Sequence, residues 1–583
     1  MTYCTMPFIS PFTDVLRSNF FPSPLEIGAI NQELADKSFQ LDALSDELKH
    51  LQEQLDAKMA ALDVLTSSID DHLRLLTPFR GLPDDILGEI FACCLPTRHG
   101  AIMHRNEPPL VLGYVCKRWR SVAYNMPRLW KTLHIVIPKA PEFEGPIDED
   151  IRTELNLTFN RYMSEHQTGL AAWLARSKSC ALSVSMHDLD HSWSSHRLSP
   201  PALSYFGTIF GVASRIRHLE IDVNQRATSG YVAALPATMF PNLSSLSITF
   251  TARLENHNLI NSWKNASIFK ASRLKWLSLL QFPHSFDNIN IDWSNLTLIV
   301  AMGLTSNVRK VDVYDALTIF TNCPRLNECD IEIAHSRTAP TTYPSFHLKY
   351  LHTLSIVSDC KQLGDLFQGA DIPNLQYLRF HSRIIPSYHL RSPLLVILSR
   401  PSMRLKLLAI NIEFFTLSDL VDCFQLVPWL KQFSHDGHLE HSPLYTLQYH
   451  MPVVPKMVSA LLHILTPAAN HPLYLPNLTS INIEIVKSKM IVTDMEILNF
   501  VRGRLEGGSK FAVYIRGLPI SARGRTCVDF DAVMGDYIAD RRLSLKLNYA
   551  NPHEADTLTY PHRAWHYHHL EASSPSVVGV LYL

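Results

Sequence analysis

The sequence predicts an α/β chain: a long N-terminal helix, a small helical segment, then an irregular array of short strands joined by returning helices. Three observations predict it. Apolar residues recur every seven positions from Ile27 to Leu76. Two short amphipathic stretches follow between residues 78 and 133. A unit of the form L-x-x-L-x-L then recurs from Ile216 to Leu478. With 583 residues the chain is too long for one ordinary domain and suits several units or a repeat array.

Composition narrows the functional classes. Hydrophobic residues make up 46% and charged residues 18%, so the chain can bury a large core. The 53 basic residues balance 54 acidic ones, so no global charge draws it to nucleic acid or an anionic membrane. No apolar run is long enough to span a bilayer. The N-terminus has no basic segment and is broken by Pro7 and Pro11, unlike a secretory signal. The ten cysteines are scattered and include no C-x-x-C pair, which reads as free thiols in a reducing compartment, cytoplasmic or nuclear.

Residues 1–23 are expected to be a flexible N-terminus. Ser23-Pro24-Leu25-Glu26 then starts a helix over 24–77, with Ser23 as cap, Pro24 at the first helical position and Glu26 reaching back. Ile27, Leu34, Leu41, Leu48, Leu55, Leu62, Ile69 and Leu76 form one stripe of a heptad pattern. The second stripe is Ile30, Lys37, Leu44, Leu51, Lys58, Leu65 and His72, interrupted three times by polar residues. The flanking positions are mostly uncharged, apart from Glu33 and Glu47. Such a helix dimerises as a coiled coil or packs along its own chain, and both remain open.

Residues 78–133 carry two linked motifs. Leu82-Pro83 leads into Asp84-Asp85-Ile86-Leu87-Gly88-Glu89-Ile90-Phe91, where two acids favour the helix start and Ile86, Leu87, Ile90 and Phe91 share one face. Val115-Cys116-Lys117-Arg118-Trp119 follows, then Pro127-Arg128-Leu129-Trp130. Together these resemble an F-box of the fungal type, including the heptad helix placed just before it. The link from Pro96 to Pro108 is longer than in the shortest members. The resemblance implies a non-enzymatic substrate receptor of a cullin-type (SCF) ubiquitin ligase, acting in the Ubl conjugation pathway. It implies a Skp-type adaptor held by Leu82, Pro83, Ile86, Leu87, Ile90, Val115, Cys116 and Trp119. Phe91 and Trp130 are read instead as core, since large aromatics are more often buried.

Residues 134–180 are expected to be a linker or helical connection, 181–550 the repeat array and 551–583 a tail or cap. The array's copies start at Ile216, Leu243, Leu274, Val308, Leu326, Leu351, Leu375, Leu405, Leu444 and Leu478, with a degenerate copy at Leu430. Prolines at 241, 324, 373, 428 and 476 precede several of them and stop the preceding helix. A returning helix is expected over 363–369. The units resemble leucine-rich repeats, but their spacing varies from 18 to 39 residues, so the resemblance implies an irregular leucine-rich-repeat-like α/β solenoid. Residues alternating with the inward ones would line one sheet face, among them Glu220, Asp222, Asp312, Tyr314, Asp330, Glu332, Arg379, His381, Asn482 and Glu484. A target protein is expected there, at Asp222, Asp312, Tyr314, Asp330, Glu332, Arg379 and His381, with a basic segment meeting the acids.

No phosphate loop, nucleotide fingerprint, nucleophile elbow or zinc-protease motif occurs. The cluster Trp565-His566-Tyr567-His568-His569 has no Cys or carboxylate to complete a metal site. No catalytic residue, metal or cofactor is expected. The rival reading is a non-ligase interaction scaffold that oligomerises through its heptad helix.

Overall fold

The computed structural model describes residues 11–12, 14–16, 18–76, 78–96, 100–137, 148–188, 200–223, 226–250, 263–303, 310–335, 343–384, 391–400, 403–435, 457–467, 473–485, 492–506, 510–519 and 528–550. The chain divides into two compact units, Met1–Leu87 and Gly88–Leu583.

The first unit is dominated by helix α1 (Pro24–Leu75), 52 residues long. At its start the Ser23 amide and hydroxyl donate to the Glu26 carboxylate at 2.8 and 2.7 Å. These bonds favour the ionised acid and lower its pKa. Lys37 pairs with Glu33 at 3.1 Å along the helix. No residue of α1 is buried. Both heptad stripes face outward, with Leu48 67% and Leu51 53% exposed. A helix α2 (Asp84–Cys93) begins in this unit and continues into the next.

The second unit is built on one parallel sheet. Its strands are β1 (Thr132–Ile137), β2 (Leu182–Asp188), β3 (Ile216–Val223), β4 (Ser245–Phe250), β5 (Trp276–Leu280), β6 (Leu298–Met302) and β7 (Glu328–Ile333). A two-residue β8 (Phe346–His347) pairs with β10 (Ala370–Asp371) apart from the main sheet. The main sheet continues through β9 (Thr353–Ser358), β11 (Tyr377–Ser382), β12 (Leu407–Ile410), β13 (Gln432–His435), β14 (Ser480–Glu484), β15 (Phe511–Pro519) and β16 (Leu543–Ala550). Among the described residues its fourteen strands lie side by side in chain order, every neighbouring pair parallel.

Parallel neighbours require a return crossing, and helices or 3-10 turns supply it. The return at Leu363–Gln368 matches the expected helix. Two apolar rows run across the sheet in register. One passes from Leu133 through Leu219, Leu246, Leu354 and Leu408 to Val513. The other passes from Ile135 through Ile221, Ile331, Phe380 and Ile483 to Ile515, interrupted at β13 by the buried His435. Every residue named in these rows is buried. These are the second and third apolar positions of the repeat, each worth about 1.5–3 kcal/mol on burial.

Three of the five prolines before the strands, Pro241, Pro373 and Pro476, belong to a recurrent Pro-Asn-Leu turn. Asn242, Asn374 and Asn477 donate side-chain amides to the carbonyls of Ser214, Lys349 and Pro428 in the preceding turn, at 2.8, 2.8 and 3.1 Å. Each turn is thereby bonded to its predecessor, which satisfies a backbone carbonyl where regular pairing has not yet begun.

Three expectations need correction. The sheet starts at Thr132 rather than near residue 181, and α5 (Glu149–Arg176) is a helix within the stretch expected to be a linker or helical connection. Val308 lies outside the described residues, and the described part of its copy is an isolated bridge from Val311 to Ile333 followed by a helix. Asp312 caps a helix over Val313–Asn322 through a capping box with Asp315, and the strand of that repeat is β6. Asp312 and Tyr314 therefore do not line the sheet face. The copy expected at Leu444, the tail 551–583 and the histidine cluster lie outside the described residues.

Candidate adaptor-binding site

In the first unit, the Pro78–Arg80 turn leads to Leu82-Pro83 and the first turn of α2. Pro83 fixes the entry, and its carbonyl accepts the Leu87 amide at 3.0 Å. Pro83 is exposed and Leu82 half-buried. Ile86 is 46% exposed, whereas the adjacent Leu87 is wholly buried. Successive helical positions point about 100° apart, so one faces solvent while the next enters a core. Leu87 thus serves packing, which corrects its expected role in contacting an adaptor. Phe79, which the sequence reading passed over, is 52% exposed.

In the second unit, Ile90 is half-buried and Phe91 wholly buried on α2. A short helix α3 (Leu112–Val115) meets α4 (Lys117–Asn125) at Cys116. Cys116 is extended there, and its Sγ accepts the Trp119 amide at 3.4 Å, capping α4. Cysteine thus takes the place usually held by Ser or Asp. Arg120 Nε donates to the Gly113 carbonyl at 2.8 Å and ties the two helices together. Val115 is 58% exposed, its neighbour Tyr114 51%, and Cys116 is also exposed. Trp119 is half-buried, with its ring 4.9 Å from Phe91. Tyr114 is a further exposed apolar group that the motif reading missed.

Behind this surface the chain is firmly anchored. Trp130 is wholly buried, and its indole donates to the Ala123 carbonyl at 2.8 Å. Trp173 of α5 donates to the Trp130 carbonyl at 3.0 Å, its ring set edge-on at 4.8 Å. The Arg176 guanidinium lies 4.0 Å over Tyr124 and 4.7 Å over Trp130. Arg128 pairs with Glu89 of α2. The long link before Pro108 is used structurally, since Ile102 bridges to His134 and Ala101 accepts the His134 amide at 2.8 Å. This segment and the start of the sheet therefore share packing.

On the sheet face, Asp222, Asp330 and Arg379 are half-buried and outward. Asp222 accepts from or pairs with His187 at 2.9 Å. Glu332 and His381 are only 2% and 3% exposed, so they offer little surface to a target. Glu332 is bound by Lys310 at 3.0 Å, by Arg383, and by the Gly303 amide at 3.0 Å. It is a structural ion cluster. Among the described residues no group of His, Cys, Asp or Glu is placed to hold a metal, and no helix is long and apolar enough to cross a membrane.

Residues 79–136 match the F-box-like family model. No curated protein matches the chain. Among solved structures, the chain is similar to one titled a crystal structure of a TLR13–ssRNA13 complex, at 13% identity and a TM-score of 0.25. That alignment covers 73% of this chain and 62% of the other, so the chain spans less than two thirds of its length. A likeness this distant carries no argument, and the fold rests on the strand pairing described above. Residues 79–136 form an F-box-like domain, a class of module that binds Skp-type adaptors.

Proposed function

We propose that the chain is a substrate receptor of a cullin-type (SCF) ubiquitin ligase. Its F-box-like domain takes the Skp-type adaptor, and the parallel array, read as an irregular leucine-rich-repeat-like solenoid, takes the target protein. The chain itself does no chemistry. It holds a captured protein near the ubiquitin-loading enzyme, so its contribution is effective concentration and orientation. The supporting observation is that four of the eight motif residues expected to meet an adaptor are exposed to solvent. Pro83 and Ile86 are exposed in the first unit, and Val115 and Cys116 in the second. Exposed apolar groups mark an interaction surface where they gather into one large patch.

Asp222, Asp330 and Arg379 remain the residues proposed to meet a target, and the working compartment is the cytoplasm or nucleus. The test is co-purification of the adaptor with the intact chain. Ile86→Asp and Val115→Asp are expected to abolish capture without loss of folding. Capture undiminished in both variants would leave the interaction-scaffold reading in place of the ligase one.

A further inference from the structure

We infer that two copies of this chain pair through α1 in antiparallel orientation, centred between Leu48 and Leu51. Helix α1 is 52 residues long, with two apolar stripes and no buried residue. A helix of that kind in water lacks the packing that normally supports it. A heptad pattern fits another helix of the same pattern, and the chain carries one such sequence.

The polar interruptions choose the orientation. In a parallel, in-register pair, each residue of the second stripe faces its own counterpart. Lys37 would meet Lys37, Lys58 would meet Lys58, and His72 would meet His72. Two of those layers place like charges together inside the seam, which is destabilising. In an antiparallel pair, residues of the second stripe face residues of the first. With the centre between Leu48 and Leu51, facing residue numbers sum to 99, as do the helix ends Pro24 and Leu75. Lys37 then lies against Leu62 and Lys58 against Leu41. Their aliphatic stems cover leucine, and their ammonium groups reach solvent at the edge of the seam. Lys37 is already held there by Glu33 of its own helix at 3.1 Å. The layers beside the centre, Leu48 with Leu51 and Leu44 with Leu55, are wholly leucine. Ile30 meets Ile69 and Leu34 meets Leu65. Shifting the register by one heptad in either direction leaves Ile27 or Ile69 without a partner inside the helix. The geometry has a consequence for assembly. At about 1.5 Å per residue, the two Leu75 ends lie about 75 Å apart, so the F-box-like domains leave the pair at opposite ends.

The test uses the full chain. Light scattering is expected to give twice the monomer mass of 66.2 kDa. Chains carrying Ile30→Cys are co-expressed with differently tagged chains carrying Ile69→Cys, with the unsubstituted chain as control for native thiols. Mild oxidation is expected to give a cross-linked product between the two tags, absent when either variant is alone. A monomeric mass for the unsubstituted chain overturns the inference. So does self-linking of Ile30→Cys chains, which marks a parallel pair, or a dimer that never links the two tags.

Discussion

Replacing Trp130 tests how the F-box-like domain is tied to the sheet. The Trp130→Phe variant keeps a buried ring against Trp173 but removes the indole donor to the Ala123 carbonyl, now bonded at 2.8 Å. The Met126 amide also reaches that carbonyl, at 3.4 Å, so it is left with one long bond. A buried acceptor deprived of its good partner costs about 1–3 kcal/mol. The remaining long bond puts the expected loss at the lower end, about 1–2 kcal/mol. Trp130→Ala also removes the ring, whose deletion from a core costs about 3–5 kcal/mol. It further removes the edge contact with Trp173 and the stacking of Arg176. Urea unfolding followed by circular dichroism gives the totals, and hydrogen exchange at residues 116–137 and 165–176 locates the loss. Both stretches are expected to lose protection together. If Trp130→Ala costs less than about 1 kcal/mol, or only one stretch responds, the anchoring described here is wrong.

Three further outcomes follow from the packing. His166 stacks between Tyr162 and Tyr205, 5.8 and 5.4 Å away, and its Nδ1 has no hydrogen-bond partner in the structure. Burial pushes its pKa down to about 4. The folded state therefore binds fewer protons than the unfolded state between pH 6.5 and 4, so stability is expected to fall as pH is lowered through that window. His166→Gln should flatten that fall in urea unfolding measured across pH. Glu332→Gln leaves Lys310 and Arg383 without their shared carboxylate, and is expected to cost roughly 3–5 kcal/mol, as for a broken buried pair. A change below 1 kcal/mol in urea unfolding would show that the cluster is not structural. Finally, Leu87→Ala should cost about 2–5 kcal/mol while Ile86→Ala stays within about 0.5 kcal/mol, although the two residues are adjacent. Thermal scans of the two variants make the comparison.

Much of the array is legible in sequence because its two inward rows coincide with the last apolar positions of the repeat. Leu219 with Ile221, and Leu354 with Ile356, show the pattern at full strength. The failures have local causes. Residues 308–313 fit the template by spacing, yet Asp312 and Asp315 bond reciprocally across a helix start, at 3.0 and 3.3 Å. That Asp-x-x-Asp signal was available and outweighs the apolar spacing. Strand β1 straddles the boundary expected at residue 133 between the helical segment and the linker or helical connection, although Leu133, Ile135 and Ile137 alternate as a half-buried strand does. Strand β15 alternates in the same way and lacks the leading leucine that the template demands.

The candidate adaptor site is legible only in part. Phe91 and Trp130 are buried, as their size suggests. That Ile86 faces water while Leu87 does not is fixed by helix phase against the rest of the fold, which a short motif does not encode. Glu332 is buried beneath Lys310 and Arg383, which arrive from other segments of the chain, and His381 is buried as well. Their sequence positions alone mark them as outward.

The central claim is that exposed apolar residues of the F-box-like domain hold an adaptor. Calorimetric titration of purified Skp-type adaptor into the intact chain tests it most directly, with Ile86→Asp and Val115→Asp alongside. Saturable binding to the unsubstituted chain, lost in each variant while circular dichroism stays unchanged, is the expected result. No heat of binding to the unsubstituted chain, or equal binding by all three proteins, would contradict it.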